Sequence, residues 1–204
     1  MEELGAEILE RVEAAAAVLR RGGIVVYPTD TLYALGARAD DAAALERLRR
    51  AKLRQEGKPL PLLAADRDQV LLVARLEGVA DRVAGRIWPG PLTLVLPALP
   101  GVAAAVTAGT GTVGIRVPAS AVARALAARA GFPLVSTSAN PAGGPAPSRV
   151  SELAPALRRQ VDHVLDGGAT PGGPPSTVVR LDGESVRVLR EGAISPEAVA
   201  EAAR

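Results

Sequence analysis

Cysteine is absent from this chain of 204 residues. That absence excludes disulfides, thiolate nucleophiles and cysteine-ligated zinc together, and makes a reducing compartment, the cytoplasm, the expected home. Histidine is nearly absent too. The one residue, His163, leaves no second imidazole for a two-histidine metal site or a histidine relay, and argues against a serine triad. It lies in Val161-Asp162-His163-Val164-Leu165, a short extended run, and reads as structural. Aromatic residues make up 2% of the chain, so the core must be filled by Val, Leu, Ile and Ala around the single Trp88. No apolar run approaches the roughly 20 residues that cross a bilayer. The N-terminus carries Glu2, Glu3 and Glu7 where a leader would carry basic residues, so a soluble, unexported protein without membrane contact is expected. The formal net charge of +2 is weak support for a nucleic-acid partner.

Lysine is scarce as well, and its placement is the first positive signal. The two lysines, Lys52 and Lys58, share the segment Lys52-Leu53-Arg54-Gln55-Glu56-Gly57-Lys58-Pro59, while every other cationic side chain is arginine. An ammonium is a compact point charge suited to a phosphate oxygen, and Arg54 beside it adds a planar fork that grips two oxygens, so the segment reads as an anion site. The competing reading is a solvated helix end; under the anion-site reading too Lys52 is expected to be exposed, so that its replacement leaves folding within about 0.5 kcal/mol of wild type.

The length and a 48% hydrophobic content suit one domain spanning 1–204. Helical periodicity runs from Ala6 to Arg21, with Gly22-Gly23 as the stop. Further helices are expected over Asp41–Ala51, Val79–Ile87 and Ser120–Ala130, and from Ser195 onward. Strands are expected at Ile24–Tyr27, Leu60–Ala64, Leu92–Leu96, Val113–Val117 and Phe132–Ser136, and Thr177–Arg180 with Val186–Arg190 forms a hairpin turning at Asp182-Gly183. The alternation predicts an α/β sandwich around a twisted sheet. Two segments offer more than turns. Pro28 to Gly36 places Thr29, Asp30 and Thr31 just beyond a strand, where ligands of open α/β sheets bind. Ser136-Thr137-Ser138-Ala139-Asn140 offers hydroxyls, an amide and backbone donors to an anion.

Several of these segments stand in a recognisable order: Lys52-Leu53-Arg54 with Lys58-Pro59-Leu60, Trp88-Pro89-Gly90-Pro91-Leu92-Thr93, Gly114-Ile115-Arg116-Val117-Pro118, Ser136 to Asn140, Ser176-Thr177-Val178 and Leu189 to Ile194. From about Ile24 to Ile194 the chain closely resembles the YrdC-like family of threonylcarbamoyl-adenylate synthases. That resemblance implies a twisted, largely parallel mixed sheet flanked by helices, with an open basic concave face. It implies an enzyme that joins L-threonine, bicarbonate and ATP into threonylcarbamoyl-AMP with release of pyrophosphate. The product would pass to a separate threonylcarbamoyl transferase complex that modifies the tRNA adenosine beside the anticodon.

By position, Thr31, Arg116, Ser136 and Ser176 match contacts to threonine; Arg54, Lys58, Thr112, Ser138 and Arg190 match contacts to ATP. Lys52 and Asn140 complete with Arg54 and Ser138 the signature tetrad expected to carry catalysis. No resident metal is implied, and Mg2+ is expected to arrive with ATP. The chain departs from the family at Leu63, where a histidine is common, at Ala146, where a serine is, and at Lys58, where an asparagine is. Two other readings remain: a module that binds tRNA or double-stranded RNA on the basic face, and a related carbamoyl-adenylate-forming enzyme with another acceptor.

Overall fold

The computed structural model describes residues 4–52, 57–141, 143–182 and 185–204. Helix α1 (Ala6–Arg20) turns Val12, Ala15, Ala16 and Leu19 inward, at the three- and four-residue spacing of one helix face, and stops at Gly22, whose φ is 78°. Strand β1 (Val25–Pro28) is buried on both faces. It pairs antiparallel with β2 (Tyr33–Gly36) and, in the order of the chain, parallel with the distant β8 (His163–Val164). β2 pairs in turn with β7 (Thr137–Ser138), which completes a sheet of four strands.

A second, six-stranded sheet has the order β10-β9-β4-β5-β3-β6. Its members are β3 (Leu62–Leu63), β4 (Leu92–Pro97), β5 (Thr112–Arg116), β6 (Leu134–Val135), β9 (Thr177–Asp182) and β10 (Ser185–Arg190). The helices between are α2 (Ala42–Lys52), α3 (Arg67–Leu71), α4 (Gly78–Ile87), α5 (Ala104–Thr107), α6 (Ala121–Ala130), α7 (Pro155–Arg158) and α8 (Pro196–Ala203). Ser120 and Ser195 cap α6 and α8, their hydroxyls accepting from Ala123 N at 3.2 Å and Ala198 N at 3.3 Å.

The mixed α/β architecture is the expected one, but two details differ. The strands divide into two sheets. Among the described residues antiparallel pairs predominate, since only β1/β8, β3/β5 and β4/β9 run parallel, against five antiparallel pairs. Connection length explains two of the five: a parallel neighbour needs a crossover of about a dozen residues, and the links 29–32 and 183–184, which join β1 to β2 and β9 to β10, are far shorter. The strand expected at Leu60–Ala64 shrinks to Leu62–Leu63, and that at Phe132–Ser136 to Leu134–Val135. Pro61 and Pro133 have no N–H to give a ladder. Tyr33–Gly36, where no strand is expected from the sequence, is a strand. The hairpin closes as expected, and its tip residue Gly183 lies outside the described residues.

Alternation along β1 and β3 divides the core. Val26 and Leu62 join the larger cluster with Leu45, Leu48, Leu94 and Ile115, while Val25, Tyr27 and Leu63 join a second with Val12, Leu19, Leu126 and Ala127 under α1 and α6. The Trp88-Pro89-Gly90-Pro91 run is a structural corner. Its indole N–H donates to Leu92 O at 2.7 Å, Gly90 N to Val117 O at 2.9 Å, and Pro91 O accepts from Thr177 N at 3.0 Å.

Two strand glycines give opposite expectations. A Cβ at Gly36 would stand 2.6 Å from Tyr27 Cε1 and 2.7 Å from the backbone Val135 O, so Gly36→Ala should lower the free energy of unfolding by about 1–3 kcal/mol. A Cβ at Gly114 meets only Thr93 Cγ2, at 3.5 Å, and Gly114→Ala should leave stability unchanged or raise it by up to about 1 kcal/mol. Urea unfolding of the two variants, at constant m-value, measures both.

Candidate functional site

The open face of the six-stranded sheet carries a cleft of about 630 Å³. Period-two alternation decides what lines it. Thr112, Gly114 and Arg116 of β5 face the cleft, whereas Val113 and Ile115 enter the core; on β4, Thr93 and Val95 face it and Leu92, Leu94 and Leu96 do not. Val178 and Arg180 of β9 and Arg187 and Leu189 of β10 extend the floor, and the turn after β1 and the segment around β7 form walls.

At one wall stands Lys52. Helix α2 runs one residue past Ala51 and delivers this side chain into the protein, 6% exposed. Its ammonium donates toward Ser138 O at 2.5 Å, Ser138 Oγ at 3.1 Å, Asn140 O at 3.2 Å and Asn140 Oδ1 at 3.1 Å. The Ser138 hydroxyl donates to Asn140 Oδ1 at 2.6 Å, and the Asn140 amide donates to Gly144 O. Lys52 is therefore no solvated helix end. It ties the Ser138–Asn140 turn to α2, because an ammonium removed from water must replace its solvation with protein acceptors.

At the other end stands Arg116, whose side chain, like that of Asp30, is 9% exposed; Arg116 Nη1 and Asp30 Oδ1 are 3.0 Å apart. Arg190 approaches from β10, with Nε and Nη2 donating to Ser176 O at 3.3 and 2.7 Å and Nη2 to Ser176 Oγ at 3.2 Å. Ser176 Oγ also shares a proton with Thr93 Oγ1 at 2.9 Å. Burial, and then the nearby charge of Arg116, lower the Arg190 pKa from the ordinary guanidinium value. Two cations thus converge on one region of the cleft.

The hydroxyls are fixed locally. Thr29 Oγ1 accepts from Thr31 N at 3.2 Å and Leu32 N at 3.3 Å and donates to Leu32 O at 2.7 Å, closing the turn that presents Thr31. Thr112 pairs with Thr110 Oγ1 at 3.0 Å. Ser136 is held by its N–H to Pro61 O at 2.8 Å. Beneath it the phenol of Tyr27 is pushed up to about 12 by burial, with the Ser136 hydroxyl and the Arg116 charge acting in the opposite direction.

The cleft therefore gathers Thr31, Lys52, Thr112, Arg116, Ser136, Ser138, Ser176 and Arg190 from segments far apart in the chain. Asn140 is buried behind this lining, bonded to Lys52 and Ser138. Lys58 is exposed and does not line the cleft. Arg54 lies outside the described residues. Leu63 is fully buried in the second core cluster rather than at the cleft surface, and Ala146 is half-buried. Tyr27 and Thr93 were not singled out from the sequence as site residues, and Asp30 was named there without a role. Asp30 and Thr93 stand inside motifs that were, but nothing short of the pairing with Arg116 and Ser176 separates them from turn and strand residues.

An open sheet face with converging guanidinium groups, a buried ammonium and clustered hydroxyls defines an α/β protein built to hold anions. Among the described residues no group of three or more Asp, Glu, His or Cys could hold a metal ion, and no helix is long and apolar enough to cross a membrane. The family model described as "Telomere recombination", for Sua5, YciO and YrdC proteins, matches residues 17–192. The chain belongs to this family. It is 36% identical over 190 residues to a threonylcarbamoyl-AMP synthase of Pyrococcus abyssi, covering 93% of this chain and 56% of that protein. It is 38% identical over 182 residues to a threonylcarbamoyl-AMP synthase of Stenotrophomonas maltophilia, covering 88% of this chain and 97% of that one. The structure of P. abyssi Sua5 complexed with L-threonine superposes with a TM-score of 0.91 at 34% identity, over 98% of this chain and 58% of that one. The chain thus spans a little over half the length of the archaeal relative and nearly all of the Stenotrophomonas one.

The two lysines should part company in stability. Lys52→Ala strands the acceptors of Ser138 and Asn140 in a buried setting, and an unfolding free energy lower by about 1–3 kcal/mol is expected. Lys58→Ala should stay within about 0.5 kcal/mol of wild type. Denaturant titration of both variants makes the comparison.

Proposed function

We propose that this chain is an L-threonylcarbamoyladenylate synthase, forming threonylcarbamoyl-AMP and pyrophosphate from L-threonine, bicarbonate and ATP. The observation that carries the reading is the layout of β5, which faces the cleft with Arg116 at one end, Thr112 at the other and the side-chain-free Gly114 between them. Four residues of strand span about 13 Å, enough to seat an amino acid and a nucleotide head to head with their reacting groups over the glycine. Names of relatives and the threonine complex of P. abyssi Sua5 support the same assignment.

In this reading the Arg116 guanidinium pairs with the threonine carboxylate, and Thr31, Ser136 and Ser176 hold the polar groups of the amino acid. Its amine adds to the carbon of bicarbonate and water leaves, giving an N-carboxylate, which attacks the α-phosphorus of ATP in line; the bond to the bridging β-phosphate oxygen breaks and pyrophosphate leaves with the electron pair. No protein nucleophile is required. The task is to bring anions together and to stabilise charge moving onto phosphoryl oxygens. Thr112, Ser138 and Arg190 face the nucleotide, Asn140 holds Ser138 and Lys52 from behind the lining, and Lys52 supplies positive charge through the turn it holds; a phosphate role for Arg54 and Lys58 rests on the family resemblance alone. Mg2+ comes bound to ATP as part of that substrate. The labile product passes to a threonylcarbamoyl transferase acting on tRNA, which suits the cytoplasm.

Pyrophosphate release, measured with ATP, bicarbonate and each amino acid in turn, tests the reading, and it should depend on threonine. Release with another acceptor, or none with any, would reject it. Arg116→Lys should raise the threonine KM at least about tenfold while moving the ATP KM little, since lysine lacks the bidentate fork; equal damage to both constants would remove Arg116 from the carboxylate. With both substrates saturating, Lys52→Ala should lower kcat by about 10²–10³-fold. A near wild-type kcat would make Lys52 a structural tie alone.

A further inference from the structure

Asp30 has none of the roles above, and its surroundings are unusual. Among the described residues four buried side-chain polar atoms lack a hydrogen-bond partner: Tyr27 Oη, Asp30 Oδ1, Asp81 Oδ1 and Arg116 Nη1. Asp30 Oδ1 and Arg116 Nη1 face each other at 3.0 Å, so the two charges attract without alignment for a hydrogen bond. Native proteins pair nearly all such atoms, so a buried aspartate and arginine that meet without a hydrogen bond form a contact made for its charge.

The misalignment has a visible cause. The second carboxylate oxygen of Asp30, Oδ2, accepts from Ala119 N at 3.0 Å, and this bond, just beyond the end of β5, sets the orientation of the carboxylate. Arg116 cannot simply be released either, because a guanidinium buried without a counter-charge is strongly disfavoured. The local charge is also incomplete: one carboxylate stands against Arg116, with Arg190 close enough for the two cations to oppose each other. One further carboxylate would balance the group.

We propose that Asp30 is a positioning residue for the amino-acid end of the cleft. Anchored by Ala119 N, it holds the buried Nη1 end of Arg116 by charge, and so turns the remaining N–H groups of the guanidinium, which lines the cleft, toward the α-carboxylate of the bound amino acid. Asp30 does not line the cleft and acts only through Arg116. The proposal rests on the synthase reading, and deepens it by naming what prepares the carboxylate site before the substrate arrives.

The test is pyrophosphate release by the full chain at varied threonine and varied ATP, for wild type, Asp30→Asn and Asp30→Glu. Asp30→Asn should raise the threonine KM about tenfold or more, with the ATP KM within about twofold and kcat at saturation within about threefold. Asp30→Glu keeps the charge but displaces it by one methylene, and its threonine KM should fall between the other two. If the asparagine variant does not fold, the glutamate variant decides alone, by a raised threonine KM at constant ATP KM. A threonine KM equal to wild type in the variants, or an equal rise in both constants, would overturn the role of Asp30 and leave the synthase reading standing. Wild-type protein without threonine-dependent release would overturn both.

Discussion

The burial of an ammonium ion is the constraint on which the cleft depends. Lys52 is withdrawn from water, and the acceptors that replace its hydration are two carbonyls, a hydroxyl and an amide oxygen of one short segment, Ser138 and Asn140. Such a group is tolerated only where its partners are complete. Completeness has structural consequences in several directions. Helix α2 must end where it does, and the chain after β6 must turn so that Ser138 and Asn140 face back toward that helix. β7, which contains Ser138, must pair with β2 at Ala34 and Leu35. The hydrogen bond from Asn140 to Gly144 carries the same order one step further into the following loop.

The two ends of the cleft treat cations differently. Around Lys52 the buried ammonium meets hydrogen-bond acceptors of Ser138 and Asn140. Around Arg116 the ion pair with Asp30 is close but misaligned, and Arg190 adds a second positive charge. Val113 and Ile115, on the opposite face of the same strand, are sealed in the larger core cluster, and this packing fixes the backbone that carries Arg116.

Much of this was legible in the residues alone. The periodicity of α1, α2, α4 and α6 set those helices within a residue or two, and the chosen segments around Thr31, Ser138 and Ser176 all reached the cleft. What failed did so for local reasons. Pro61 and Pro133 shortened strands that hydrophobicity alone extended. Tyr33–Gly36 was hidden because a strand buried on both faces shows no alternation to read. The short helices α3, α5 and α7 span too few residues for any period to emerge. Lys52 looked solvent-facing because it follows Arg49 and Arg50 at the end of α2, and only the partner segment 86 residues away shows otherwise.

Composition and residue order, taken by themselves, determined the chemical inventory: no thiol, one imidazole, two lysines in one segment, and hydroxyl and guanidinium groups placed after apolar runs. They also determined the α/β class, because periods of 3.6 and 2 are written in side-chain polarity and need no partner to be read. Tertiary structure decided everything that depends on a pair. It selected antiparallel over parallel neighbours, divided the strands into two sheets, buried Lys52 against Asn140, and set Asp30 beside Arg116 across a separation that no local pattern encodes. Charge pairing acts through space, and only the folded chain defines those distances.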